Sequence, residues 1–226
     1  MTLCSDEHYL SLPVAQDYKR AHDNDEGPNT GGMGSYSPVP WVSKDMAREA
    51  EETIVRPILG ALKGTGYRGV LFSGIMVQDG KPYCLEYNVR FGDPETQAIM
   101  MRLGKGLAPA LKACAMGAPI PAFEVKDEAS VCVVVASAKY PGNVEKGFQI
   151  QLPTVPAGCK IFHAGTAIKD GKLVSNGGRV FGAAATGADL DQARARAYEL
   201  AKSIKFDGAW FRNDVAQDAS SLSHVG

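Results

Sequence analysis

The sequence predicts an α+β fold, with antiparallel strands and separately packed helices. Three observations carry this. The pair Asp79-Gly80 joins two strand-like runs and is the strongest short hairpin signal a sequence offers. Two stretches of helical period flank that hairpin, each with start and stop residues in place. Beyond about residue 122 the texture changes to short strands and turns, so a second, smaller β-rich unit is expected over 122–215.

In chain order, residues 1–13 read as a short hairpin turning at Asp6-Glu7. A chain that opens mid-sheet reads as part of a longer polypeptide. Residues 14–40 are polar and glycine-rich, too irregular for a helix or strand of any length. A helix is expected over 44–63, with Met46, Ile54, Ile58 and Leu62 on one face, Ser43 as cap and Gly64 as stop. Pro57 should kink or divide it. The hairpin over 70–90 follows, and a two-residue turn sets Ser73 opposite Glu86 and Leu71 opposite Asn88. A third helix should begin with Asp93 as cap and Pro94 at its first position, and a fourth should cover 107–116. The run "ASVCVVVASA" is a core strand, "KIFHAGTAI", "KLVS" and "GGRVFGAAA" a meander. A last helix starts at Asp189, with Gln192 completing a capping pair. Residues 216–226 form a tail expected to be disordered.

Composition narrows the function classes. With 226 residues, 45% hydrophobic and 22% charged, the chain can build a sizeable core. Its net charge of −1 gives no electrostatic case for nucleic acid or an anionic membrane as partner. Five scattered cysteines without C-x-x-C spacing argue against a disulfide framework or structural zinc. They point to a reducing, cytoplasmic setting. No apolar run reaches membrane-spanning length.

The stretch "LEYNVRFGDPETQ" carries the chemistry. On a strand, Tyr83, Leu85, Tyr87 and Val89 pack one way while Glu86, Asn88 and Arg90 point the other. Successive members lie roughly 6.5–7 Å apart, since each residue rises about 3.3 Å. A carboxylate and an amide at that spacing both reach one hard cation, and the guanidinium next along suits a phosphoryl oxygen. From the alternation alone, the plainer reading is the solvated face of a half-exposed strand. In the 17–34 loop, Gly27, Gly31, Gly32 and Gly34 permit tight turns that bring N–H groups toward an anion. Lys19 and Arg20 add positive charge, and Asp17 can meet an amine. A surface loop whose glycines only satisfy turn geometry is the alternative.

Three segments, "QDYKRAHDNDEGPNTGGMGSYSP", "YRGVLFSGIM" and "LEYNVRFGDPETQ", resemble in order the signatures of the glycinamide ribonucleotide synthetase (phosphoribosylamine–glycine ligase) family, within the ATP-grasp superfamily. "YPGNVEKG", "HAGT", "GGRV" and "FDGAWFRNDV" continue the likeness. The resemblance implies that residues 1–121 are the later part of an ATP-grasp domain. It implies ATP-dependent ligation of glycine to 5-phosphoribosylamine through glycyl phosphate, with ADP released. Glu86 and Asn88 would hold Mg²⁺ or Mn²⁺ on the phosphates of ATP, and Arg90 would steady the transferring phosphoryl group. Many superfamily relatives place another acid on the neighbouring strand, but "VLFSGIM" has none, so protein alone would not ligate a second metal.

The substrates would be met by Asp17, Lys19, Arg20, Asn29, Thr30, Gly31, Gly32, Met33 and Gly34. Arg179 would face the cleft and touch substrate or phosphate, though a surface arginine fits the same pattern; His163 is given no role. The family's N-terminal domain and adenine-binding half have no counterpart in this sequence, so the missing N-terminal part is an expected partner and weak or no activity is expected in isolation. Alternatives are a non-catalytic assembly module, a split subunit, or another ATP-grasp carboxylate–amine ligase or carboxylase.

Overall fold

The structure, a computed structural model, describes residues 1–217 and 219. Thirteen strands and five α-helices are found among them. Strands β1 (Thr2–Ser5) and β2 (His8–Ser11) form the expected first hairpin, and β7 (Arg68–Gln78) and β8 (Lys81–Asn88) the second. Asp79 and Gly80 close the latter at φ 51° and 71°, as a type I′ turn requires. The two hairpins join into one antiparallel sheet, in the order β2-β1-β7-β8.

A second antiparallel sheet runs β10 (Cys159–His163), β13 (Arg179–Gly187), β9 (Ala129–Ala136), β6 (Gly34–Ser37), β3 (Gln16–Asp17). It takes strands from both sides of residue 122. The expectation that residues 14–40 hold no regular element is therefore corrected. Tyr36 and the small residues Gly34, Ser35 and Ser37 are fully buried against β9, and Gly34 lies where a Cβ would strike Val215 and the Cys132 carbonyl. Strands β4 (Arg20–His22) and β5 (Glu26–Asn29) form a small separate hairpin. The meander is also corrected. Strands β11 (Thr166–Lys169) and β12 (Lys172–Ser175) make their own two-stranded arm, while β10 pairs directly with β13.

Residues 44–62 are helical throughout, as α1 (Lys44–Ala50), a π turn (Glu51–Val55) and α2 (Arg56–Leu62). Pro57 follows the π turn directly, and helical geometry continues through it rather than ending there, while Ser43 caps α1 as expected. Helix α5 (Leu190–Ser203) is capped by the Asp189 side chain, which accepts from the Gln192 N–H at 2.8 Å. Its apolar side covers β9 and β13, and the main core lies there, with Val131, Val133, Val135, Val180 and Phe181 buried. Ala216 and Ala219 join that core; residues 218 and 220–226 of the expected tail lie outside the described residues.

Helix α3 (Glu95–Arg102) is the wedge between the two sheets. Its Ala98 shares a buried cluster with Cys132 and Ala184 of one sheet, and its Ile99 shares another with Leu3 and Val70 of the other, with α4 (Leu107–Met116) packed on β1 and β7. Burying Ile99 contributes about 1.5–3 kcal/mol. Hydroxyls fix the helix lengthwise: Ser35 donates to the Pro94 carbonyl at 2.7 Å and Ser130 to the Ala98 carbonyl at 2.5 Å. Buried Arg102 donates to Ser37 and to the Glu128 carbonyl. The Gly92–Glu95 corner is thereby set at the junction of the sheets.

Candidate functional site

The β7–β8 hairpin departs from its expected register by one residue. Gly74 faces Glu86, Ser73 faces Tyr87 and Phe72 faces Asn88, after a bulge that leaves Leu85 unpaired. The turn is as expected, but the extra residue on β8 shifts every pair beyond it. Glu86 and Asn88 still share one face. An added Cβ at Gly74 would lie 3.0 Å from Glu86 Cγ and 3.4 Å from the Phe72 ring, so Phe72 lies on that face too. The opposite face does not pack as expected. Leu85 and Val89 are 64% and 72% exposed, while the Tyr87 hydroxyl reaches across to donate to the Ile54 carbonyl.

The Phe72 ring leads to Gly92. A Cβ there would sit 2.6 Å from Glu95 Oε2 and 2.8 Å from Phe72, so only glycine leaves room for the Glu95 carboxylate. Glu95 is 6% exposed. Burial, then the nearby Asp17 carboxylate, push it above the usual carboxylate range, with Lys19 opposing and Asp93 adding to the effect. Lys19 pairs with Asp17 at 2.7 Å. Burial works against its charge, but Asp17, with Glu95 and Glu86 farther out, holds its pKa above the ordinary value. Lys19 thus sits in the fields of both the hairpin acid and the corner acid.

Asp93 does not cap α3. Its carboxylate is taken by Arg179 at 3.0 Å and by the Gln97 amide at 2.8 Å, and Pro94 occupies the capping position without a side-chain bond. Arg179 also donates to the carbonyls of Asp93 at 2.8 Å and Gly31 at 2.9 Å. Gly32, at φ 112°, lies so close that a Cβ would collide with the Pro94 ring. The glycine loop is clamped onto the 92–95 corner by Arg179, whose guanidinium is occupied by protein oxygens.

The loop's N–H groups are not free for an anion, contrary to expectation. Thr30 donates to the Lys19 carbonyl, Gly31 to the Tyr140 hydroxyl, Gly32 to Thr30 Oγ1 and Met33 to the Tyr18 carbonyl. Partners within the loop, and the Tyr140 hydroxyl from beyond it, take up these four N–H groups. The tip of the β4–β5 hairpin is strapped down as well. Arg212, 1% exposed, bonds Asp25, Asp214 and the Arg20 carbonyl and stacks on Tyr18, while Asn213 holds both oxygens of Asp23.

The structure therefore brings Asp17, Lys19, Thr30, Gly31, Gly32 and Arg179 to the corner that also carries Glu95, with Glu86 in electrostatic reach and Asn88 on its face. It does not bring Met33, which is fully buried, or Gly34, which lies inside β6. Arg20 and Asn29 are turned to the outer hairpin, and exposed Arg90 donates only to the Phe91 carbonyl. Asp93, Glu95 and Gln97, which stand at the same corner, are not among the residues expected from sequence. Acid in a first helical turn is common, and the one signal was Gly92 three residues ahead of Glu95.

Two family models match the chain: phosphoribosylglycinamide synthetase, ATP-grasp (A) domain, over residues 1–96, and phosphoribosylglycinamide synthetase, C domain, over 130–218. The chain belongs to the phosphoribosylglycinamide synthetase family. A phosphoribosylamine–glycine ligase from Caldanaerobacter subterraneus is 44% identical over 213 residues, covering 93% of this chain and 51% of its own length. One from Rhizobium meliloti is 44% identical over 217 residues, with 94% and 51% covered. The crystal structure of the Thermotoga maritima phosphoribosylamine–glycine ligase superposes with a TM-score of 0.87 at 42% identity, over 95% of this chain and 54% of that one. The chain spans about half the length of the curated relatives it matches. The biotin carboxylase subunit of pyruvate carboxylase, at 13% identity and TM-score 0.64, shares the fold alone. The synthetase-family chain is thus a partial ATP-grasp domain followed by a C domain, and no helix among its described residues is long and apolar enough to cross a membrane.

Proposed function

We propose that this chain forms the phosphate-side and acceptor-side wall of an ADP-forming ligase that joins glycine to 5-phosphoribosylamine in purine biosynthesis. The observation that carries this is the meeting, at one corner, of the Glu86/Asn88 face with the Asp17, Lys19 and Glu95 cluster. The family's members of twice this length supply the class of reaction and the remaining nucleotide wall, which is the chain's expected partner. Residues 1–121 and 122–215 would be its two units, with β3 and β6 lent to the second sheet. Five free cysteines suit a reducing cytoplasm.

Among the described residues no group of three or more His, Cys, Asp or Glu is placed to hold a metal by itself. Glu86 and Asn88 would hold a hard cation, Mg²⁺ or Mn²⁺, by a carboxylate and an amide oxygen, with phosphate and water completing its shell. That cation would neutralise charge along ATP's phosphate chain. Arg90, free to leave the Phe91 carbonyl, would meet the transferring phosphoryl group. Lys19 would offset the charge of the glycyl phosphate, and the Arg179 clamp would hold the 31–32 turn against the reacting atoms. No protein nucleophile is required: positioning and charge neutralisation carry the reaction.

Glu86→Ala in the complete natural chain tests this. Glycine-dependent ADP release should fall at least about 100-fold, as when a group stabilising the transition state is lost, while the thermal midpoint stays within about 2 °C of the parent, as for an exposed substitution. Near-normal turnover at limiting Mg²⁺ would defeat the metal assignment.

A further inference from the structure

We propose that Glu95 is a catalytic residue of the acceptor half-reaction, binding the phosphoribosylamine nitrogen and taking the proton it sheds on attacking the acyl carbon. This rests on the ligase reading above. Four carboxylates are candidates, and three are committed. Asp17 is paired with Lys19 at 2.7 Å, and Asp93 is held by Arg179 and Gln97. Glu86 stands exposed on the hairpin where a cation would be held. Among the described residues no side chain donates a hydrogen bond to Glu95; it receives one from its own backbone N–H, and Lys19 and the Met1 amino group act on it through their fields. A carboxylate 6% exposed and left so is expensive unless a ligand meets it.

The surroundings point to an amine as that ligand. Gly92 lacks the Cβ that would fill the space beside Oε2, which leaves room there for a small donor. Groups facing Glu95 are Asp17, Asp93, Lys19 and the Met1 amino group. The step balances simply. The amine lone pair forms the C–N bond, the acyl carbon–oxygen pair leaves with phosphate, and the excess proton passes to Glu95. Burial and Asp17 raise its basicity, the direction a general base requires.

The test uses the complete natural chain with Glu95→Gln and Glu95→Asp. Hydroxylamine, a nucleophile that needs no base, traps glycyl phosphate as the hydroxamate. Glu95→Gln should keep hydroxamate formation within about threefold of the parent yet lose phosphoribosylamine-dependent turnover at least about 100-fold, the range general-base removal costs. Its acid limb in the pH profile should vanish, and Glu95→Asp should restore part of both. In the ligand-free protein, the ¹³C shift of the Glu95 carboxyl should titrate above the ordinary glutamate value. Equal loss in the trapping and amine reactions, or an ordinary titration, overturns the assignment to Glu95 alone. A parent with no glycine-dependent ADP release overturns the ligase reading and this step with it.

Discussion

The two sheets solve opposite problems. The β9/β13 sheet is buried on both faces, between α3 and α5, and every residue of β9 is inaccessible. The β7–β8 hairpin is almost bare at its far end, with Met76, Tyr83, Leu85 and Val89 exposed. The first is close-packed and gains its stability from apolar burial. The second contributes little burial there and carries the metal-type donors. The proposed chemistry would fall at the seam, where α3 is wedged between them and its first turn holds the buried Glu95 carboxyl. Stability and reactivity are thus assigned to different residues, and substitutions should separate them.

The sharpest way to break that division is Arg212→Ala, deep in the packed half. Its guanidinium joins Asp25, Asp214 and the Arg20 carbonyl, so truncation strands carboxylates and a carbonyl together. The expected cost is about 3–5 kcal/mol in chemical denaturation. Although burial pushes the Asp214 carboxyl up, its bonds from Arg212 and the Asn24 N–H hold it below the usual range. A depressed acid stabilises the fold above its unfolded pKa and loses that contribution as pH falls through the folded one. The parent should therefore weaken in acid more than the variant does. A loss under 1 kcal/mol would show that the strap around Asp23–Asp25 is decorative.

Gly92→Ala strikes the seam itself. The new methyl meets Glu95 Oε2 and the Phe72 ring, neither of which has slack between the sheets. Overpacking of this kind costs about 1–3 kcal/mol. Turnover should fall more than stability, because Glu95 must move. A variant as active as the parent would mean that Glu95 has room the geometry denies it.

Glu95→Gln should move stability the other way. Burial raises the Glu95 pKa, so the native chain holds its proton more tightly than the unfolded one. Such a group costs stability as pH rises through the window from the unfolded value, about 4.3, to the raised one. The amide removes that cost. Its thermal midpoint should exceed the parent's at pH 8 and match it near pH 4. A midpoint lower than the parent's at pH 8 would make Glu95 a structural acid and unite the two roles held apart here.

The same contrast governs what was legible in the sequence. Local signals were readable: Asp79-Gly80 gave the hairpin, Ser43 and Asp189 the caps, and strand alternation put Glu86 beside Asn88. What depended on distant partners was not. The β6 strand looks like a polar, glycine-rich loop until β9 is laid against it, and the bulge at Leu85 has no turn residue to announce it. Arg179 reads as a cleft arginine because its partners, Gly31 and Asp93, lie far away in the chain. Glu95 reads as helix dressing because desolvation is a property of the packed sheets, not of its neighbours in sequence.

The smallest effect is expected at the bare end of the hairpin. Leu85 is the extra residue of the bulge, 64% exposed, and its side chain is absent from all three buried clusters. Leu85→Lys removes little burial in this chain and adds a charge to an already solvated surface. Stability should change by no more than about 0.5 kcal/mol. In the longer family members the same face would have chain to meet, and there the lysine should cost about 1–3 kcal/mol, as for burial of an unsatisfied polar group. Measuring both contexts by denaturant titration turns the comparison of regions into a comparison of chains. Equal, negligible changes in the two would leave the exposed apolar face of β8 without a partner in either.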